Sequence, residues 1–359
     1  VFTGQTIVDG IRNLMRDAAP IVWRRGQATA GLAVDPHDFP TINVPQAERD
    51  GDLAVRQFLE RPDDEAIDVD GDIVIEAGVT LTLGPGVDLR FAASDVRAGG
   101  FDTTKAELLV YGELVIEATT DAPARLRSPA GGWLGLLVLG GTSPSLEQDL
   151  TSGRLLLEDA ELGLARARLP FGTTRWSGTR RVPWDLTIPA GARLVVEGGT
   201  QIAFAPEDLA RTGRHAELTE WIVEGELVID GLGSEVSLDV DSRQSEDLWY
   251  GIRLEPDGYL ELVGASIGAA GFGVQGTVTP EGQVRIADSR FAGLVNGLNL
   301  TLFGSAQVDG STFTSISGPA IKASGSATLN LRNTTIEDGG QEGIWMSNAN
   351  LEAIPATVT

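Results

Sequence analysis

The chain has 359 residues, 51 acidic against 27 basic, a formal net charge of −24 and no cysteine. The missing thiols exclude disulfides, thiolate catalysis and cysteine-based metal sites, and so acidic a balance argues against nucleic acid as a partner, because phosphate binding needs basic patches. No run of 18 apolar residues occurs, so membrane insertion through a helix is not expected, while 42% hydrophobic residues and 45 glycines describe an ordered, turn-rich chain.

Residues 1–66 read as an irregular N-terminal segment with coil-like stretches, Thr6-Ile-Val-Asp-Gly10 and Ala19-Pro-Ile-Val22. Ile11, Leu14, Met15 and Ala18 also fit a helical stripe, so a capping helix over Arg12 to Arg24 is the alternative there. Pro36, Pro40, Pro45 and Pro62 punctuate the rest, and Gln46 to Leu59 is expected to form a short helix.

From residue 67 the chain repeats itself. Asp72-Ile-Val-Ile-Glu-Ala-Gly78 returns as Asp185-Leu-Thr-Ile-Pro-Ala-Gly191, and the offset of about 113 residues holds for Leu81 and Leu194, Phe91 and Phe204, and Gly112-Glu-Leu-Val-Ile116 and Gly225-Glu-Leu-Val-Ile229. After a short slip Trp133-Leu-Gly135 matches Trp249-Tyr-Gly251. These segments define a first module at 67–182 and its duplicate at 183–276. Within them Ile73 and Ile75, Leu81 and Leu83, Val87 and Leu89, and Leu114 and Ile116 alternate in short runs bounded by Gly or Pro-Gly, the pattern of half-buried strands joined by tight turns. Residues 94–107 and 206–220 break the pattern at the same place in each copy and read as excursions from it.

A shorter period governs the following coils, 277–359. Ile267, Phe291, Phe313 and Ile336 are spaced 24, 22 and 23 residues apart, and Val274, Leu298, Ile321 and Ile344 keep the same rhythm. A repeat of that length is one turn of a three-faced β-helix, in which like residues stack about 4.8 Å apart along the axis. The leucine-rich repeat pattern of similar length is absent.

The residues Ile75-x-x-Gly78-x-x-Leu81, Gly86-x-x-Leu89-x-Phe91, Gly112-x-Leu114-x-Ile116 and Trp249-Tyr-Gly251-Ile252 resemble those of bacterial surface and secreted right-handed parallel β-helix repeat proteins, over about residues 67 to 350. The resemblance implies an all-β, right-handed, three-faced parallel β-helix with short loop or helical excursions. For function it is open, because that fold hosts adhesins, structural proteins, lyases and hydrolases. The first module departs from the pattern at Leu136, where the motif has Ile.

Candidate sites are few. Asp239 and Asp241 lie two apart, about 7 Å on one face of a strand, the arrangement of a carboxylate acid/base pair; two solvated residues flanking inward Leu238 and Val240 is the plainer reading and the one adopted. Arg253 and Arg290 are expected on strands, where a lyase base would sit, but no acidic cluster converges on them in the sequence. Asp68, Asp70 and Asp72 form an oxygen-rich loop that suits calcium but lacks the downstream bidentate Glu of an EF-hand, so it reads as a polar turn. Asn296, Asn299, Asn330, Asn333, Asn348 and Asn350 serve left-handed turns or ladders. Trp133, Trp249 and Trp345 are either core packing or exposed sugar platforms, core packing being expected.

No catalytic, cofactor or metal residue is assigned. The expectation is a non-catalytic structural or adhesive scaffold, extracellular or on the cell surface, partnered by copies of itself or by adjoining coils of a longer array or filament, and by a glycan or surface protein. Neither end reads as a cap: Thr335-Ile-Glu-Asp-Gly339 resembles the N-terminal Thr6 to Gly10 run, and Ile344, Met346 and Leu351 still alternate near the finish. The competing class is a polysaccharide lyase or glycoside hydrolase.

Overall fold

Short alternating runs separated by glycine bury one face each and cannot pair with their sequence neighbours across such tight corners, so each pairs with the equivalent run one coil away. The computed structural model describes residues 55–59 and 66–358, apart from 70, 93, 96–99, 129–130, 141–142, 144, 211–212, 242–246 and 354–355. Among the described residues strand pairing is parallel, and each sheet takes every third strand except at the end of the first unit, where the helix Leu146–Thr151 stands in one coil and two sheets step by two: the chain is a three-faced parallel β-helix. It divides into two compact units, residues 1–166 and 167–359.

Among the described residues of the first unit one sheet holds Val55–Leu59, Val79–Leu83 and Glu113–Ile116, and the other two hold four strands each. Strand Val55–Leu59 corrects the end of the helix expected over Gln46 to Leu59, whose residues 46–54 lie outside the described residues. Its residues pair in parallel with Val79–Leu83, because five residues have little helical propensity to set against the unpaired backbone at the edge of a sheet. The Arg12 to Arg24 segment and the coil-like runs before it lie outside the described residues. The excursion expected at 94–107 falls between strands Asp88–Phe91 and Glu107–Val110, with Glu107 itself on the second strand and residues 96–99 outside those described. A helix not foreseen, Leu146–Thr151, follows Ser145 with Glu147 and Asp149 in its first turn. The nearly buried Arg166 donates from Nη2 to Glu147 Oε2 at 2.9 Å and fastens this helix to the last strand of the unit.

The second unit has sheets of eight, eight and seven strands among the described residues. Both expected ladders are present. Ile267 stands beside Phe291, Phe291 beside Phe313 and Phe313 beside Ile336; Val274, Leu298, Ile321 and Ile344 form a second ladder on the seven-stranded sheet. At one corner Asp288, Gly310 and Asn333 take positive φ in successive coils. The hydroxyls that follow turn inward, and the Ser289 amide donates to Ser311 Oγ at 3.2 Å. Asn333 and Asn348, at φ +47 and +60, thus occupy left-handed turns.

The duplication is one of packing as well as sequence. Phe91 stacks on Trp133 with centroids 4.3 Å apart, and Phe204 on Trp249 at 3.8 Å. Each indole donates to a main-chain carbonyl at 2.9 Å, Glu158 in one unit and Gly268 in the other. Leu136 is fully buried, in the place where the motif has Ile. The glycine of Trp-x-Gly has a local cause: at Gly251 (φ +121) a Cβ would stand 1.8 Å from the Phe272 carbonyl oxygen, and the register shifts by a bulge immediately after it.

Candidate functional site

The residues singled out from the sequence separate in space. Asp239 is exposed on strand Val236–Val240 and accepts a hydrogen bond from the Val240 amide at 2.8 Å. Asp241 lies just past the strand end and accepts from Arg181 Nε at 2.7 Å. Asp68 is exposed and held by Arg90 at 2.9 Å, whereas Asp72 is buried, and Asp70 lies outside the described residues. Among the described residues no group of three or more His, Asp or Glu side chains is arranged to hold a metal. Arg290 is exposed on strand Arg290–Ala292. Trp133 and Trp249 are core residues, but Trp345 is 38% exposed.

For Arg253 the structure supplies a partner that the sequence did not show, the single carboxylate of Glu220. The neighbouring strand Glu220–Val223 places Glu220, fully buried, under the guanidinium, and Arg253 Nε donates to Glu220 Oε1 at 2.9 Å. Glu220 Oε2 accepts the amides of Arg214 at 2.8 Å and His215 at 3.2 Å, which ties the 206–220 excursion to the sheet. The Glu220 amide in turn donates to Asp185 Oδ1 at 2.6 Å. The guanidinium lies 4.7 Å from the Tyr250 ring centroid, and that ring contacts His215 and Phe272. The partners are 33 residues apart, one coil, a separation at which no local motif shows.

The same motif stands in the first unit, with no cation in the place of Arg253 among the described residues. Glu107 donates its amide to Asp72 Oδ1 at 2.9 Å and accepts the Phe101 amide at 2.9 Å and that of Asp102 at 2.5 Å, all through Oε1. Each residue of this set precedes its counterpart by 113 positions. The place of Arg253 is taken by the buried Leu137: Leu109 pairs with Leu137 as Ile222 pairs with Arg253. Asp72 Oδ2 and Glu107 Oε2 are buried without a hydrogen-bond partner. Burial, reinforced for Asp72 by Asp95, raises its pKa to about 7, and burial with the charge of Asp72 raises that of Glu107 to about 8.

A different feature faces solvent on the seven-stranded sheet. Arg253, Gln275, Asn299, Lys322 and Trp345 occupy one outward row, each beside the next. Thr277, Thr301, Ser324 and Ser347 form a parallel hydroxyl row, with Thr301 and Ser324 hydroxyls 3.4 Å apart. The four strands Ala270–Val278, Asn296–Leu302, Ile321–Gly325 and Ile344–Ser347 contain no Asp or Glu. In a chain of charge −24 this is a local inversion of the surface chemistry. Aromatics stand at both ends, Tyr250 and Phe272 at one and Trp345, with Lys322 4.9 Å from its ring centroid, at the other.

The geometry defines a class, the three-faced parallel β-helix. Compared with family models, curated proteins and solved structures, the chain finds no match.

Proposed function

We propose that the chain is a non-catalytic extracellular scaffold, structural or adhesive, of the kind represented by bacterial surface and secreted β-helix proteins, and that it binds a linear polysaccharide along the outer face of the seven-stranded sheet. The carboxylate-free double row on that face carries the reading. Amides and hydroxyls repeat at the coil spacing of about 4.8 Å and offer both donors and acceptors to sugar hydroxyls. Trp345 offers an apolar ring face to a pyranose. Lys322, which makes no ion pair among the described residues, admits a polymer bearing carboxylates that the rest of the surface would repel.

A glycan array followed by calorimetry on the best ligand tests this. Trp345→Ala and Lys322→Ala are expected to weaken binding about tenfold each, roughly the worth of one stacked ring or one charge-assisted hydrogen bond, with Tyr259→Ala on another sheet unchanged. Unaltered binding in both face variants removes the face from the function. Turnover of an acidic polysaccharide, lost in Arg253→Ala, replaces the scaffold by a lyase or hydrolase.

A further inference from the structure

The two copies of the buried carboxylate motif differ in one respect that bears on regulation. In the second unit the negative charge of Glu220 is met by Arg253, a guanidinium at hydrogen-bond distance. In the first unit the corresponding position is Leu137, and the outer side of the same sheet is lined by Val74, Leu109 and Leu134, each 2–4% exposed and none of them part of the interior core cluster. A second carboxylate lies close by in both copies. At Gly213 a Cβ would stand 2.0 Å from Asp185 Oδ2 and 2.7 Å from Glu220 Oε2, so those two oxygens crowd a single point. Gly100, the equivalent residue, holds φ +63 against the Glu107 carboxylate.

Among the described residues the charged groups around the first-unit pair are few. Asp95 and Asp102 add negative charge from the excursion. Lys105 is engaged by Glu161 and stands 3.7 Å from Asp102. Strand Trp133–Val138 contributes no titratable group; on Ala160–Arg166, Glu161 holds Lys105 and Arg166 holds Glu147. Glu76 and Glu107 both act on Tyr111, whose own pKa is raised mainly by burial. Two buried carboxylates in an apolar setting, with no cation beside them among the described residues, cannot both stay ionised at low cost.

We propose that the Asp72–Glu107 pair is a proton-binding site, in which protons take the place that a guanidinium fills in the second unit, and that losing them releases residues 100–106 from the sheet. Glu107 is the anchor, since it accepts the amides of Phe101 and Asp102. The sign follows from linkage. Both folded-state pKa values lie above the unfolded ones, so the stabilisation is complete below about pH 4 and is lost as pH rises through about 7 to 8. The two groups titrate as a coupled pair.

Hydrogen exchange of the full chain, read by peptide and corrected for the intrinsic pH dependence of exchange, compares the two copies in one sample. Between pH 6 and pH 9 the peptides over residues 100–110 are expected to lose protection by tenfold or more, about tenfold per proton per pH unit, while those over 213–223 change less than twofold. Glu107→Gln, or Asp72→Asn if that variant folds poorly, is expected to flatten the response of the first unit, and Arg253→Leu to confer it on the second. A wild-type first unit that does not respond, a response that survives both neutral variants, or a second unit indifferent to Arg253→Leu overturns the proposal. So does restoration of protection at pH 9 by excess calcium chloride, which makes the pair a metal site.

Discussion

Phe313 shows what one residue contributes to a coil. It is fully buried and stacks on Phe291 with ring centroids 4.6 Å apart and planes within 8°, so truncating it opens a cavity that the flanking coils cannot close. Phe313→Ala is expected to cost about 3–5 kcal/mol, measured by denaturant unfolding. Gly251 is constrained by backbone rather than by volume: its φ of +121 and the Phe272 carbonyl oxygen 1.8 Å from a would-be Cβ leave no room for alanine. Gly251→Ala is expected to destabilise by about 2–4 kcal/mol through strain and the shift of a whole coil. A loss below ~0.5 kcal/mol in the same unfolding measurement contradicts the bulge as the reason for the glycine.

The element on which the proposed function rests is a sheet face. A carboxylate placed in its centre probes the charge complementarity without touching the core, because Asn299 is half-buried between Gln275 and Lys322 in the outward row. Asn299→Asp is expected to weaken binding of a uronate polymer by about tenfold at low salt and to matter little at high salt, with the thermal midpoint unchanged. Equal losses at both salt concentrations assign Asn299 to hydrogen bonding alone. How legible these elements were depended on which side of the sheet carried the signal. The interior rows were readable: Ile267, Phe291, Phe313 and Ile336 repeat one per coil and stack as their spacing requires. The outer rows were not, because strands such as Val79–Leu83 and Trp133–Val138 are buried on both sides and blur the period-2 alternation. The pairing of Glu220 with Arg253 was hidden by a separation of a whole coil. Glu107 and Glu220 share the 113-residue offset, and that was the available signal. Val55–Leu59 was misread because five residues of mixed character take their state from the neighbouring strand.

On the scale of the whole molecule the open question is how a stacked core is closed. In the coil containing Ile344–Ser347 the interior ladder thins: Ile344, Met346 and Ala349 are only partly buried against the core, and Leu351, in register with the buried Leu329, is 43% exposed. Strand Asn350–Ala353 pairs on one side only among the described residues. An apolar row next to an unpaired parallel edge is the surface that an adjoining coil or a second copy covers in a solenoid. The charge of −24 opposes such stacking at low ionic strength, so the self-association expected from the sequence should depend on salt in a particular direction. Sedimentation velocity is expected to show species growing with concentration, and more readily as salt screens the acidic flanks. Leu351→Asp, which sets a charge on the exposed ladder position, is expected to hold the chain at its smallest species under all these conditions while leaving the circular dichroism of the folded coils unchanged. A wild-type chain that stays monomeric across the full range of concentration and salt would leave this end as ordinary surface, and a variant that assembles as well as the wild type would move the contact away from the Leu351 row.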